Sequence, residues 1–467
     1  MTRKRFDEDM KIDREYILSL IENAKGTTEE DIDRILEKAK GRKGLDHSEI
    51  ASLLEIKNED QVKKLFNIAG EVKKDVYGNR VVLFAPLYIS DYCVNNCVYC
   101  GYKCKNKFVR RRLTMDEIRQ EVEILEQMGH KRLALEAGED PVNCPIDYVL
   151  EAIDTIYDTY NKNGMIRRIN VNIAATTIEN YQKLKDAQIG TYILFQESYD
   201  ELSYRNMHPN CIKGNYDYHT TAFDRAMEAG IDDVGAGVLF GLADPKFEVL
   251  GLMMHNEHLE KKFGVGFHTI SVPRLRPAEG VTLEKFPHLL DDDMFKKIVA
   301  IIRLAVPYTG MILSTREEAE VRQELLEYGI SQVSAGSCTG VGGYEEAANG
   351  RNIDQFEKAD ERTPIEVIED LIDRGYVPSY CTACYRSGRT GEKFMNIAKS
   401  EEIHYMCKPN ALTTLMEYAV DYGDERFLEK AEKFVREQAS MIDREDIREF
   451  TLGNIEKLKN GERDLFI

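Results

Sequence analysis

Three cysteines lie close together in a loop that directly follows an apolar stretch of the chain. Cys93, Cys97 and Cys100 have the spacing C-x3-C-x2-C and come after the apolar run 81–89. A cubane 4Fe–4S cluster has four irons, so three protein thiolates leave one iron open to bind a small molecule through an amine and a carboxylate. Zinc sites more often use paired C-x2-C units and closed tetrahedral ligation. The spacing therefore predicts an iron–sulfur cluster with one open iron.

The same loop carries a family resemblance. Cys93, Cys97 and Cys100, with Tyr99 before the last thiol, resemble the signature of the radical S-adenosylmethionine (SAM) family. The resemblance implies that the open iron binds SAM, that reductive cleavage of SAM gives a 5′-deoxyadenosyl radical, and that Tyr99 packs near the adenine. Cys104 is a conceivable fourth ligand that would exclude SAM, and we interpret it as a bystander thiol.

Composition narrows the class of protein. The chain has 467 residues, of which 43% are apolar, and a formal net charge of -19. This charge disfavours a nucleic-acid partner. We expect a cytoplasmic protein without a membrane segment, because the first residues lack an apolar signal stretch and no run approaches about eighteen apolar residues. Ten cysteines in a large chain favour metal ligation under reducing conditions over disulfides.

The order of predicted elements indicates a barrel. From residue 81 onward, short β-branched runs alternate with amphipathic helical patterns, as in successive βα units. Eight units predict a full (β/α)8 TIM-like radical SAM barrel over 81–340; an open doubly wound sheet is the alternative, but no G-x-G-x-x-G turn supports it. Residues 1–80, with start signals such as Thr27-x-x-Glu30, predict an N-terminal helical layer, and 341–467 predict a mainly helical cluster-binding extension. The strands are expected near 81–89, 132–137, 169–174, 191–196, 233–239, 268–274, 311–315 and 331–335.

Residues at the carboxyl ends of barrel strands line the active site in such folds. After the second strand, Gly138 and Glu139 resemble the family's Gly-Gly-Glu segment, with its first glycine replaced by alanine, and the resemblance implies contact with the SAM amino group. After the fourth strand, Glu197 is a candidate acceptor for the ribose hydroxyls. Arg225 on the next helix is a candidate for the SAM carboxylate, and a surface ion pair is its alternative role.

The seventh and eighth strands supply a candidate site for an amino-acid carboxylate. The segment 314–317, Ser-Thr-Arg-Glu, places a guanidinium at the barrel mouth, where it suits bidentate capture of a carboxylate. This segment and 334–337, Ser-Ala-Gly-Ser, resemble the substrate clamp of aromatic amino acid lyases in the radical SAM family. The resemblance implies that Arg316 and Ser334 are the donors, and Arg322 is the alternative arginine.

A second cysteine triple follows the barrel. Cys381, Cys384 and Cys407 have the spacing C-x2-C-x22-C. Alone, they would favour a zinc site with His404 as the fourth ligand. Because the first triple already indicates iron–sulfur chemistry, we predict a second 4Fe–4S cluster that also has an open iron.

Together these motifs resemble the HydG family of FeFe-hydrogenase maturases over most of the chain. The resemblance implies a lyase that cleaves L-tyrosine to p-cresol and dehydroglycine with SAM as cosubstrate. It also implies that an auxiliary 4Fe–4S cluster then forms carbon monoxide and cyanide and builds an Fe(CO)(CN) synthon. In the family, a fifth iron is linked there through a free cysteine, and His268 is its candidate protein ligand. His255 and His258 are less suited, because their predicted helix lies outside the barrel.

Two other functions compete with this interpretation. The tyrosine lyase of thiamine biosynthesis, 2-iminoacetate synthase, stops at dehydroglycine and lacks the second triple. A non-catalytic iron–sulfur carrier or scaffold would need neither a barrel nor a carboxylate clamp. Besides tyrosine and SAM, the resemblance implies two kinds of protein partner: an electron donor such as ferredoxin or flavodoxin, and the other hydrogenase maturases. No role is predicted for Cys104, Cys144, Cys211 and Cys338.

Overall fold

Eight parallel strands form a closed barrel in the computed structural model, which describes residues 10–161, 164–400 and 402–467. The strands are β1 (Arg80–Ser90), β2 (Arg132–Ala137), β3 (Arg168–Asn172), β4 (Tyr192–Glu197), β5 (Val234–Val238), β6 (Thr269–Ser271), β7 (Gly310–Leu313) and β8 (Gln332–Ser334). Each strand pairs with its neighbours in chain order, and β8 closes the ring by pairing with β1 at Val82–Gln332. All eight predicted strands are therefore present, and the predicted fold class is confirmed.

Four helices precede the barrel. They are α1 (Arg14–Ala24), α2 (Glu29–Ala39), α3 (His47–Leu53) and α4 (Glu59–Tyr77). The sequence placed the start of α2 one residue too early, since its capping box joins Thr28 to Asp31. The Thr27 hydroxyl instead donates to Ser52 on α3, which ties the two helices together.

The strands are connected by helices on the outside of the barrel. These are α5 (Met115–Gln127), α6 (Ile146–Tyr157), α7 (Ile178–Asp186), α8 (Glu201–Met207), α9 (Tyr216–Thr220), α10 (Ala222–Glu228), α11 (Pro245–Phe263), α12 (Asp292–Ala305), α13 (Ala319–Tyr328) and α14 (Gly343–Ala348). The amphipathic pattern over 217–229 in the sequence predicts one helix, and the structure divides it at Thr221 into α9 and α10. Helix α4 packs against α12 and α13, so the N-terminal layer covers that side of the barrel. Over the described ranges, no helix is both long and apolar enough to cross a membrane.

The barrel interior is polar. Along β1, Phe84, Pro86 and Tyr88 line an internal cavity, while the alternate residues Leu83 and Leu87 are fully buried, as the two-residue period of a strand requires. In a packed TIM barrel, layers of branched aliphatic side chains fill this space. Here several inward positions are polar, so the interior forms a lined cavity. Its polar strand residues include Arg132, Glu136, Asn170, Asn172 and Gln332.

The C-terminal part is mostly helical, as predicted, and it is joined to the barrel by one short strand. This strand, β9 (Val377–Ser379), pairs in parallel with the first residues of β1 and was not predicted. The helices are α15 (Pro364–Asp373), α16 (Ala383–Arg386), α17 (Gly391–Lys399), α18 (Ile403–Tyr422), α19 (Glu425–Ser440) and α20 (Glu445–Lys459). One hydrophobic core extends from Ile17 to Leu458. The division of the chain at residues 80 and 340 stays a prediction.

Candidate active site

A cavity of about 290 Å³ lies inside the barrel, next to the cysteine loop that follows β1. Its wall combines the cysteine loop, the loop after β2 and the carboxyl ends of β4, β7 and β8. The structure thus brings together residues that are far apart in the chain. The predicted site residues that line the cavity are Cys93, Cys97, Cys100, Tyr99, Gly138, Glu139, Glu197, Arg316 and Ser334.

The first cysteine triple is the candidate site of a cluster, and the groups around its sulfurs can be compared with that expectation. Within the part of the chain that the structure describes, no three His, Cys, Asp or Glu side chains are placed to hold one metal ion. The Cys100 sulfur accepts the backbone N–H of Tyr102 at 3.3 Å and the Gln355 amide at 3.5 Å, and such contacts stabilise cluster thiolates. Cys104 is exposed. The residues present therefore fit a 4Fe–4S cluster held by three thiolates.

Gly138 allows the loop after β2 to touch the cysteine loop. A Cβ at this position would lie 2.4 Å from the Tyr92 carbonyl oxygen and 3.2 Å from the Cys93 Cβ, so only glycine fits. The next residue, Glu139, accepts a hydrogen bond from Val94 N–H at 2.8 Å on its carbonyl oxygen, and the Asn95 amide donates to its carboxylate. The two loops are therefore locked together beside the cysteines.

Tyr99 is held in one orientation by a histidine. His208 donates through Nδ1 to the Tyr204 carbonyl at 2.7 Å, and burial lowers the pKa of His208 to about 3, so the ring is neutral. Its Nε2 therefore accepts the Tyr99 hydroxyl, at 2.7 Å. This contact presents the buried Tyr99 ring to the cavity.

Sequence reasoning missed two groups that the loop after α8 brings to the site. The Lys213 ammonium lies in the cavity wall, 2.7 Å from the Glu197 carboxylate, and Glu197 has a left-handed φ of 67° at a bulge in β4. The Cys211 side chain lies beside Cys97. Both residues lie well beyond the end of β4 in the chain. The rule that active-site residues follow the carboxyl ends of barrel strands therefore did not predict them.

The structure places Arg225 away from the cavity. Its guanidinium donates to the carbonyl oxygens of Thr176 at 2.9 Å and Tyr218 at 2.7 Å, and to the Thr221 hydroxyl at 2.8 Å. It also stacks on the Tyr218 ring, 4.0 Å from the centroid. Because these contacts use its donors outside the cavity wall, this geometry does not support the predicted contact of Arg225 with the SAM carboxylate.

Arg316 and Ser334 are positioned to bind a carboxylate inside the cavity. The Arg316 guanidinium stacks on the Phe356 ring, 3.6 Å from the centroid, and among the described carboxylates none forms an ion pair with it. The buried hydroxyls of Ser334 and Ser337 have no hydrogen-bond partner among the described residues and line the same cavity. Arg322, the alternative arginine, is instead buried in an ion pair with Asp360.

Glu136 adds an ionisable group to the cavity wall that the sequence analysis did not single out. The Asn172 amide donates to its carboxyl group at 2.7 Å. Burial raises the pKa of Glu136 to about 8, so the group is mostly protonated at pH 7. The pattern Arg-Leu-Ala-Leu-Glu in β2 held a signal, since polar residues at alternate positions of a buried strand mark its inward face.

The second cysteine triple lies at the opposite, amino-terminal end of the barrel strands. Cys381, Cys384 and Cys407 line a second cavity together with His268. His268 precedes β6, and its Nε2 is 3.0 Å from the Tyr385 hydroxyl. Burial lowers the pKa of His268 to about 4, so the ring is neutral and suited to metal ligation. The Cys381 sulfur accepts the backbone N–H of Ala383 at 3.4 Å.

The other histidines lie elsewhere. The Nε2 of His404 lies 2.7 Å from the Asp75 carbonyl oxygen, and His404 is not part of the wall of the cavity that holds the second cysteine triple. His255 and His258 are on α11, outside the barrel, where they contact Tyr199 and Asp224. Arg132 and Gln332 line both cavities, so the two cavities are neighbours inside the barrel.

Comparisons with known proteins agree with this geometry. The profile of the radical SAM superfamily matches residues 87–249, and that of the biotin and thiamin synthesis associated domain matches 271–377. The crystal structure of HydG, a maturase of the FeFe-hydrogenase, is 57% identical, has a TM-score of 0.95 and covers 98% of this chain and 99% of that chain. HydG from Carboxydothermus hydrogenoformans is 39% identical, with a TM-score of 0.82 over 95% of this chain and 100% of that one. The 2-iminoacetate synthase of Salmonella typhimurium is 28% identical over 76% of this chain and 90% of its own length.

The barrel, the cysteine loop and the matched profile define a radical SAM enzyme, a class that holds a 4Fe–4S cluster and SAM. The near full-length similarity to solved structures narrows this class. The chain belongs to the HydG family of FeFe-hydrogenase maturases and is a radical SAM tyrosine lyase.

Proposed function

We propose that the chain cleaves the Cα–Cβ bond of L-tyrosine to p-cresol and dehydroglycine, and then forms carbon monoxide and cyanide for an Fe(CO)(CN) synthon. One observation carries this proposal: two cysteine triples stand at opposite ends of one barrel and face two cavities that share Arg132 and Gln332. Such an arrangement separates radical formation from the later steps while keeping the intermediate enclosed.

The cavity beside the first cysteine triple is called the upper cavity here. In it, the chain's residues would bind and orient two small molecules. Cys93, Cys97 and Cys100 would hold the cluster, which together with SAM supplies the 5′-deoxyadenosyl radical. Tyr99 would face the adenine, and the loop with Gly138 and Glu139 would face the SAM amino group. The remaining proposed contacts are those of Glu197 with the ribose and of Arg316 and Ser334 with the tyrosine carboxylate. Fixing both molecules in one cavity brings the reacting atoms close together and excludes water.

The cavity beside the second cysteine triple is called the lower cavity. There, Cys381, Cys384 and Cys407 would hold an auxiliary 4Fe–4S cluster, and His268 would bind an additional iron that also carries a free cysteine. The neutral His268 ring and the cysteine sulfurs line the same cavity. Tyr385 contacts His268 and fixes the ring, as groups around a metal ligand commonly do. This geometry allows products made at the lower end to meet iron before they can diffuse away.

The proposed function implies two protein partners. A low-potential one-electron carrier such as ferredoxin or flavodoxin would reduce the first cluster. The other FeFe-hydrogenase maturases would receive the iron-bound product.

The test is a product analysis with anaerobically reconstituted protein, SAM, tyrosine and dithionite. We expect 5′-deoxyadenosine and p-cresol in similar amounts, with carbon monoxide and cyanide formed more slowly. p-Cresol without carbon monoxide or cyanide would support the 2-iminoacetate synthase alternative. Iron–sulfur protein that does not cleave SAM would support the carrier alternative, and zinc in place of iron would refute both cluster assignments.

A further inference from the structure

Three arginine side chains converge on the lower cavity. Arg80, Arg132 and Arg168 extend from β1, β2 and β3 and line it beside the second cysteine triple. Arg132 is 6% exposed and Arg168 is 4% exposed. Charged side chains are rarely buried to this extent unless another charge compensates them.

The structure offers these guanidiniums few partners. In each of the three, Nε is buried and has no hydrogen-bond partner in the described part of the protein. Arg168 donates to the Thr191 hydroxyl at 2.6 Å and stacks on the Tyr385 ring, 3.1 Å from the centroid. Within the same residues, no carboxylate lies within ion-pair distance of Arg80, Arg132 or Arg168. Buried donors of this kind indicate a ligand that accepts hydrogen bonds.

The auxiliary cluster alone would not balance their charge. The carboxylate with the main electrostatic effect on this group is Asp233, which acts on Arg168 and also lies 3.4 Å from His268. An oxidised 4Fe–4S cluster held by three thiolates carries a net charge of about -1. Three guanidiniums, set against that cluster and Asp233, leave about one positive charge uncompensated in a buried site.

We propose that Arg80, Arg132 and Arg168 form a binding site for a small monocarboxylate at the lower cavity. The planar guanidinium forks match the two oxygens of a carboxylate, and one such anion would neutralise the remaining charge. This inference rests on the proposed function, in which the two-carbon dehydroglycine fragment must be held near the auxiliary cluster. It adds the residues that receive that fragment.

The barrel interior offers this anion a route from the upper cavity. Arg132 belongs to the walls of both cavities, and Asn170 and Asn172 line the upper one along the next strand. A carboxylate released from Arg316 would therefore meet polar side chains and then a guanidinium that reaches into both cavities. The positive charge at the lower end favours movement of an anion in that direction.

The experiment measures binding without turnover. Reconstituted holoenzyme is kept free of reductant and saturated with SAM and tyrosine, so that the upper cavity is occupied. Equilibrium dialysis then measures [14C]glycolate, a two-carbon monocarboxylate without a reactive carbonyl. We expect about one equivalent of glycolate bound per chain and no competition by glycolamide, which has the same shape but lacks the charge.

Substitutions of the arginines test whether these residues bind the glycolate. Arg132→Met and Arg168→Met should each weaken glycolate binding by about tenfold or more, since a charge-assisted pair is lost. Arg119→Met is the matched control, because its side chain is half-exposed on α5 and pairs with Asp116; binding should be unchanged. If iron analysis shows that Arg132→Met has lost the auxiliary cluster, Arg132→Lys replaces it, and a loss of about fivefold at full iron content is expected.

Two results would overturn the inference: no glycolate bound by the wild-type holoenzyme, or equal binding by wild type, Arg132→Lys and Arg168→Met. The proposed function is tested separately on the same preparation. Formation of p-cresol, carbon monoxide and cyanide without glycolate binding would refute only the arginine site.

Discussion

Arg316 is the residue on which capture of tyrosine depends in the proposed site. Its guanidinium faces the cavity and has no carboxylate partner among the residues described. We expect Arg316→Ala to weaken tyrosine binding by roughly 10- to 100-fold, because a bidentate charge-assisted contact contributes about 1.5–3 kcal/mol. SAM affinity should stay within about twofold. Equilibrium dialysis of tyrosine against SAM-loaded protein measures the first outcome, and dialysis of SAM against protein without tyrosine measures the second.

Arg322 provides the matched control for this variant. It is buried in an ion pair with Asp360, so Arg322→Ala should lower the free energy of unfolding by about 3–5 kcal/mol by leaving the Asp360 charge without this partner. Its effect should appear in the melting temperature, whereas Arg316→Ala should melt like the wild type. Tyrosine affinity that is unchanged in Arg316→Ala would refute the carboxylate clamp.

Glu136 should make tyrosine binding depend on pH. Its folded-state pKa is raised to about 8 by burial, so the group is neutral below that pH and acquires a negative charge as the pH rises through it. The ionised carboxylate would compete with tyrosine for Arg316, which lies within its electrostatic reach. We therefore expect KM for tyrosine to increase by roughly threefold to tenfold between about pH 7 and 9.

The raised pKa of Glu136 also determines how the stability of the fold changes with pH. A carboxyl group whose folded pKa is raised favours the folded state fully below its unfolded pKa, and this contribution is lost as the pH rises through about 8. Glu136→Gln should remove both the KM dependence and this loss of stability. The Glu136→Gln variant is compared with wild type by steady-state kinetics and urea unfolding at both pH values; identical pH profiles would contradict the assignment.

Among the individual site residues, the sequence predicted those that belong to short motifs. The cysteines of the first triple, Tyr99, Gly138 and Arg316 line the expected cavity because they lie on the loops that follow β1, β2 and β7. Lys213 could not be found in this way, since a bent segment after α8 carries it back to the site. Arg225 was misleading for a related reason: a helix position alone does not reveal that neighbouring carbonyl groups use its donors.

The segment between β1 and α5 is the most basic element of an otherwise acidic protein. Six of the ten residues in 103–112 are Lys or Arg, whereas the whole chain has a net charge of -19. Val109 is 94% exposed, and Lys105 and Lys107 form no ion pair with any described residue. Arg110 donates to the Asp91, Tyr102 and Lys103 carbonyl groups and thereby holds the segment next to the first cysteine triple.

We expect this segment to receive an acidic electron carrier. Reversing two charges, with Lys105→Glu and Lys107→Glu together, should slow reduction of the first cluster by reduced flavodoxin about tenfold or more, because electrostatic steering is lost. Reduction by dithionite should not change. The matched control is Lys433→Glu with Lys457→Glu, two exposed lysines on α19 and α20. Equal slowing in both double variants would show a general charge effect and no docking at this segment.

Elements were predictable where their periodicity is strong. The eight strands and their helices alternate with clear changes of period, and the structure confirms them. The strand β9 escaped prediction because its middle residue is Pro378, which argues against a strand in the sequence, and only pairing with β1 defines it. The boundary within 217–229 was missed because Thr221 interrupts the helix without a proline or glycine.

At the scale of the whole molecule, the two cysteine triples lie at opposite ends of one barrel. Several interior strand positions are polar and others, such as Phe84 and Phe195, are apolar, and together they line a cavity in place of a packed core. The sequence predicted two clusters but not how the helices of the C-terminal extension lie against the barrel. That arrangement depends on the pairing of β9 with β1 and on α18, which carries Cys407.

This arrangement predicts that the two ends can be uncoupled. Cys384→Ser should retain p-cresol formation within about twofold, because the residues proposed to bind tyrosine and SAM lie in the other cavity. Carbon monoxide should be largely lost and cyanide reduced, and iron content should fall by about one cluster. His268→Ala should also retain p-cresol while weakening assembly of the iron-bound product. Gas chromatography, cyanide derivatisation and iron analysis measure these outcomes on one preparation.

Cys104→Ser is the control for loss of a thiol, since Cys104 is exposed and lines neither cavity. It should form all products at the wild-type rates. Electron paramagnetic resonance of the SAM-bound first cluster shows whether that end of the barrel is intact in Cys384→Ser. If p-cresol disappears although this signal is unchanged, the lower end takes part in tyrosine cleavage itself, and the division of the barrel into two reaction sites is wrong.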